Sequence, residues 1–270
     1  MAAVAPPVPS GAPPSRPTAR AAPRAGVVRD VGTARHEQVR AARWTTSGAI
    51  KVLGDVDVGE GILAGLVTVG GKVSADSLRA RGGLEVGGTV DVRGALSLDG
   101  TTHVSGTVHA RSINARGQVR ADGAVAADRE LVVGGLLEAP SVSAGLVDLA
   151  GAAVVPGELV ARGSVTCRVN DPSSLGTVRA PTVVIHGPAT GLVPTLWRKV
   201  FGGSVRVAVE RIEADRVELA SVDVRFVRAT SIVLGPGSHV AEIEGTVVRR
   251  HRTARVGPES RSPPPYGLRR

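Results

Sequence analysis

LEVGGTVDVRGALSLDGTTHVSGTVHA, running from Leu84 to Ala110, decides how the chain folds. Small or branched apolar residues come in pairs, one residue apart: Leu84/Val86, Val90/Val92, Leu96/Leu98, Thr102/Val104 and Val108/Ala110. Residues i and i+2 of a strand point to the same face, so each pair is one very short strand with two inward side chains. Gly88, Gly94, Gly100 and Gly106 stand between the pairs. Glycine accepts the positive φ that a sharp bend demands. A short strand and a bend, repeated about every six residues, is one side of a coil; three sides close a turn of about 18 residues.

The rule extends both ways. Upstream, pairs begin at Ile50, Val56, Ile62, Val67, Val73 and Leu78. Downstream they begin at Ile113, Val119, Val125, Leu131, Leu137, Val142, Val147, Ala153, Leu159 and Val165. The steps are mostly six and sometimes five, which predicts about seven turns over this stretch. After RVNDPSSLG the pairs resume at Val178/Ala180 and Val183/Ile185. A final block keeps a step of five: Ile212/Ala214, Val217/Leu219, Val222/Val224, Val227/Ala229 and Ile232/Leu234, with charged residues between.

Composition agrees. The chain has 35 glycines but two Trp, two Phe and one Tyr, too few bulky groups for a compact core and enough small ones for a narrow tube. Cys167 is the single cysteine, so there is no internal disulfide framework; it takes an inward place and reads as a buried thiol. The net charge of +9 sits in the tails. Residues 1–45 carry seven Arg against Asp30 and Glu37, and residues 249–270 carry seven Arg against Glu259. No signal-peptide core or spanning apolar run occurs, which leads to the expectation of a cytoplasmic protein, with membrane association through the tails or the insertion described next.

The expected organisation is a disordered Pro/Ala/Arg-rich arm over 1–45, a Gly-rich solenoid block over 46–185, an amphipathic helical insertion over 186–203, a second solenoid block over 204–248 and a disordered basic tail over 249–270. Trp44 is a candidate cap over the open first turn, or a loose aromatic at the root of the arm. In the insertion, Leu196, Trp197, Val200 and Phe201 recur at helical spacing beside Arg198 and Lys199. Such a helix either packs on the solenoid's flank or lies on a membrane surface.

At this point the chain resembles the bactofilins, the polymer-forming cytoskeletal proteins, in their longer two-block form. The pattern that carries the likeness is a Gly-rich solenoid, then LWRKVFGG, then IEADRVELASVDVRFVRATSIVLGPGSHV. It covers about residues 50 to 248. The resemblance implies an all-β, right-handed parallel β-helix that joins end to end into filaments without nucleotide, with itself or a paralogous bactofilin as partner.

Two other classes compete with this reading. Hexapeptide acyltransferases also coil with period six, but with one inward aliphatic per side rather than two, and they use a histidine base. His103 and His109 fall at outward positions, without a nucleophile or metal partner in the nearby sequence. No Cys/His set has zinc spacing and no GxxxxGK[ST] loop is present. The Arg-rich tails suit nucleic acid, anionic lipid or an acidic protein. The expected function is a structural, self-associating scaffold with no catalytic residues, cofactor or metal.

Overall fold

The computed structural model describes residues 26–188 and 207–257. All of its regular structure is strand, arranged as a parallel β-solenoid of about 12 turns. The first seven strands are β1 (Val27–His36), β2 (Val39–Val52), β3 (Val56–Val69), β4 (Val73–Val86), β5 (Val90–Val104), β6 (Val108–Ala121) and β7 (Val125–Glu138). Then come β8 (Val142–Ala144), β9 (Leu146–Ala161), β10 (Ser164–Val169), β11 (Ser173–Arg179) and β12 (Thr182–His186). The last four are β13 (Val207–Ala220), β14 (Asp223–Leu234), β15 (His239–Arg250) and β16 (Arg255–Val256). Twelve turns at the spacing of neighbouring strands make a rod about 55 Å long.

Most strands are longer than the three or four residues expected, because parallel pairing continues around the corners. Val56 pairs Val73, Val73 pairs Val90 and Val90 pairs Val108, so a turn takes 17 or 18 residues. Ile212 pairs Val227 and Val217 pairs Ile232, so a turn of the last block takes 15. The inward pairs stack in columns through successive turns. On the first side Val90 sits in one column and Val92 in the other, at 2% and 0% exposure. Each fully buried Val, Leu or Ile contributes about 1.5–3 kcal/mol of apolar transfer, and the columns run from Val39 to Val240.

One corner explains the glycines. Gly48, Gly65, Gly82, Gly100, Gly117, Gly135 and Gly151 lie one above another in the register, all at positive φ. A Cβ on Gly100 would lie 2.3 Å from the Gly82 carbonyl oxygen. Gly88, Gly94 and Gly106 bend without positive φ; they are needed because the turn below approaches, a Cβ on Gly106 coming 2.7 Å from the Gly88 oxygen.

Four expectations change. The arm of 1–45 is strand from Val27 onward, in β1 and the start of β2. Its inward positions include Val39 and Ala41, a buried apolar pair that the sequence reading left inside the arm, and Asp30, His36, Trp44 and Thr46, which a search for small apolar pairs passes over. The tail of 249–270 likewise begins in β15 and continues through β16, up to Val256. In the second pair of β3 the buried residues are Gly61 and Leu63, and Ile62 faces outward, one residue from the expected register. Gly61 lies between Trp44 and Leu78 in the register, and the space a side chain would take there is filled by Leu78, whose Cδ1 lies 2.5 Å from where a Cβ would stand. The fourth change is that one strand spans several sides of a turn.

The insertion over 186–203 lies outside the described residues except for His186 at the end of β12 and Gly187 and Pro188 after it. Leu196, Trp197, Val200 and Phe201 are among those not described.

Candidate functional site

A solenoid has two places where its repeating bonds stop, and these ends are the candidate site. At the N-terminal end β1 pairs, among the described residues, on one side only, with β2. Its inward positions stack Val28 on Trp44, Asp30 on Thr46, Ala34 on Ile50 and His36 on Val52. Trp44 is fully buried, and its indole Nε1 donates to Asp30 Oδ2 at 2.8 Å. The same oxygen lies 3.1 Å from His36 Nε2. Trp44 therefore lies in the core one turn in, beneath β1, rather than over the open end. Below Asp30, Thr46 Oγ1 accepts the Ala64 N–H at 3.3 Å.

At the C-terminal end β16 covers only His239 and Val240 of β15. From Ala241 to Arg249 the far edge of β15 has no paired strand among the described residues. Its apolar side chains are partly in water: Ile243 is half-buried, Val247 is 39% exposed and Val248 is 65% exposed. Arg250 turns back to donate from Nε and Nη2 to the Ala254 carbonyl, at 3.2 and 3.0 Å. Such an edge offers backbone N–H and C=O groups and an apolar row together.

The flanks carry ladders of ion pairs between turns. Arg43 meets Glu60, Arg93 meets Asp76 at 3.0 Å, and Arg168 meets Asp148 at 2.9 Å. Where the two blocks meet, Arg179 joins Glu158 and Glu213, both at 2.8 Å, and Arg211 reaches Glu213 at 2.6 Å. The hydrogen bond from Arg179 holds the Glu213 carboxyl below its ordinary value, against a smaller opposing effect of desolvation. The Arg211 guanidinium also lies 4.7 Å from the Phe226 ring centroid.

His109, an outward residue as expected, is bracketed by carboxylates: Nδ1 is 3.2 Å from Asp91 Oδ1 and Nε2 is 3.3 Å from Asp128 Oδ1. His103 Nε2 lies 3.4 Å from Asp122 Oδ2. These partners are one turn away in space and 18 or 19 residues away in sequence. The turn length was the signal that could have found them. Among the described residues no group of three or more His, Cys, Asp or Glu is placed to hold a metal. An open groove of about 620 Å³ runs along the last block instead, lined by Pro181, Glu213, Asp215, Arg228 and Glu244, of which Arg228 and Glu244 pair at 3.5 Å. Cys167 is fully buried, and burial, helped by Asp148, pushes its thiol up to about 12. It is an inert core group at neutral pH. No helix among the described residues is long and apolar enough to cross a membrane.

No protein-family model, curated protein or solved structure matches the chain.

Proposed function

We propose that this chain is a structural scaffold, a bactofilin-like right-handed β-helical rod whose copies join end to end without nucleotide. The observation that carries this reading is the edge of β15 that no strand among the described residues pairs, where its backbone groups and the exposed Val247 and Val248 lie together at one end of a regular rod. A second strand laid along that edge satisfies the backbone and buries the valines in one step. Two inward residues on each side of the turn favour this reading over a hexapeptide acyltransferase, whose pattern uses one. The ion-pair ladders are partly exposed and serve the flanks of the rod.

The test is the purified full chain without nucleotide or metal, followed by light scattering and electron microscopy. Elongated assemblies of rods joined at their ends are expected. A single species of 27.5 kDa persisting at high protein concentration overturns the reading.

A further inference from the structure

Beyond β15 the coil has begun another turn. The chain bends at His251, whose N–H donates to the Leu234 carbonyl at 2.7 Å, and Ala254 is buried again. β16 then lies on β15: Arg255 pairs His239, Val256 pairs Val240, and the Gly257 N–H donates to the Val240 carbonyl at 3.0 Å. Val256 stands in the inward column above Val240 and is 41% exposed, since β16 is the outermost described strand. The described residues stop at Gly257, while the chain is still bonded to β15.

The sequence continues as PESRSPPPYGLRR, residues 258–270. Its length, charge and apolar residues all suit the uncovered stretch of β15, from Ala241 to Arg249. At about 3.1 Å per residue these 13 residues reach about 40 Å, and the stretch of β15 spans about 30 Å. The step from His239 to Arg255, kept onward, places Ser260 beside Glu244, Arg261 beside Gly245, and Pro263 and Pro264 beside Val247 and Val248. The outward column Arg179, Glu213, Arg228, Glu244 alternates in sign from turn to turn. Glu244 is its last described member, with a side chain 57% exposed, and Arg261 supplies the base that the alternation calls for. The proline rings give the two exposed valines an apolar cover. Glu259 falls over Ile243, an acid in the outermost turn as Asp30 is in the first.

We propose that residues 258–270 lie along the edge of β15 as a closing turn of the same rod, and that this segment competes with a second copy for that edge. The competition rests on the self-association reading above; the closing turn does not. Proline has no N–H to give, so a turn carrying Pro263, Pro264 and Pro265 covers the apolar row and offers a further strand an incomplete ladder. Proline on an edge is one of the ways in which sheets refuse continuation. A tethered segment acts at an effective concentration on the order of millimolar, so joining of rods is pushed to higher concentration rather than abolished.

The test is hydrogen exchange on the full chain and on a chain ending at Gly257, over a range of concentrations, with assembly mass followed by light scattering. The N–H groups of β15 that face away from β14 should exchange roughly ten-fold or more slowly in the full chain, equally at every concentration. The shortened chain, which keeps every described strand, should lose that protection, and its mean assembly mass should rise several-fold at equal concentration. Pro263→Asp with Pro264→Asp in the full chain sets charge against the valines and should act as the shortening does. Circular dichroism checks the strands; if shortening disturbs them, the double variant carries the comparison. Equal exchange with and without the segment overturns the proposal. So does protection that appears only as rods assemble, which gives the edge to a second copy. Protection lost on shortening, with single rods at every concentration, keeps the closing turn and sinks self-association instead.

Discussion

The Gly-rich block and the last block of the rod have the same interior and different corners. Both present two inward residues on each side, and both stack them in continuous columns. In the first block one corner is a ladder of glycines at positive φ, and a turn takes mostly 17 or 18 residues, with 16 between Gly135 and Gly151. In the last block the corresponding bends use Ser221 and Pro236–Gly237, and a turn takes 15 to 16. The comparison separates two jobs. The inward pair specifies the fold, and the corner sets the length of the turn. A glycine corner brings backbone against backbone and leaves no side chain on the surface there. The flank residues of the tighter block are largely charged, as at Arg211 and Glu213, which pair with each other and, from Glu213, with Arg179 of the block before.

The largest effect tests the shared interior. Val90→Asp in the first block or Ile212→Asp in the last should each cost several kcal/mol, because either buries an unpaired carboxylate in an apolar tube. Asp91→Val, at an outward position, should be nearly neutral. Each turn touches only its neighbours, so damage should remain local. Limited proteolysis of Val90→Asp should cut near residues 85–110 while β13 to β15 stay protected. Loss of protection along the whole rod at once would refute the turn-by-turn account.

Next comes the corner. Gly100→Ala places a methyl group 2.3 Å from the Gly82 oxygen in a backbone region alanine avoids, and should cost more than about 1 kcal/mol. Gly134→Ala meets nothing closer than 3.9 Å, the Ala115 oxygen, and should stay within about 0.5 kcal/mol of wild type. Thermal or urea denaturation of the two variants gives the contrast directly; equal losses would mean that the glycine ladder is not required for the bend.

Cys167 probes burial through pH. Its thiol ionises near 9.0 when unfolded and is raised to about 12 in the fold. Stability from this residue is therefore intact below pH 9 and declines from there to about 12, as the unfolded chain alone loses the proton. Cys167→Ala should flatten that part of the stability curve, and a thiol reagent should label wild type only as it unfolds.

The smallest effect belongs to the charged flank. Arg179→Met removes two ion pairs from a partly exposed network and should cost no more than about 1 kcal/mol. Glu213 is held below its ordinary 4.5, first by Arg179, so its contribution is present above that value and fades as pH falls through the depressed one. The variant's stability should fall less over this acid range. An unchanged acid limb would show that Arg211 alone holds Glu213.

Much of the fold was legible in the chain because an inward pair is a local signal. Val90 and Val92 declare one side of a tube within three residues, and the step to Leu96 declares the corner. The steps of five in the last block likewise anticipate the 15-residue turn of Ile212 and Val227. The local rule fails at the ends, where the tube meets water and its columns turn polar: Asp30 and His36 occupy inward places and fall outside a search for apolar pairs. Ile62 misled for a related reason, since its inward neighbour is Gly61, which has no side chain to betray it.

The sequence by itself therefore determined a parallel coil, its inward residues and its bends. Which outward residues meet was decided by the tertiary structure alone. His109 finds Asp91 because the turn between them has 18 residues, and one residue more or less at a corner would bring a different side chain to the imidazole. The same holds for Trp44 under Asp30 and for the free edge of β15. These neighbours depend on the summed length of every corner in the intervening turn, and only the folded coil adds those lengths up.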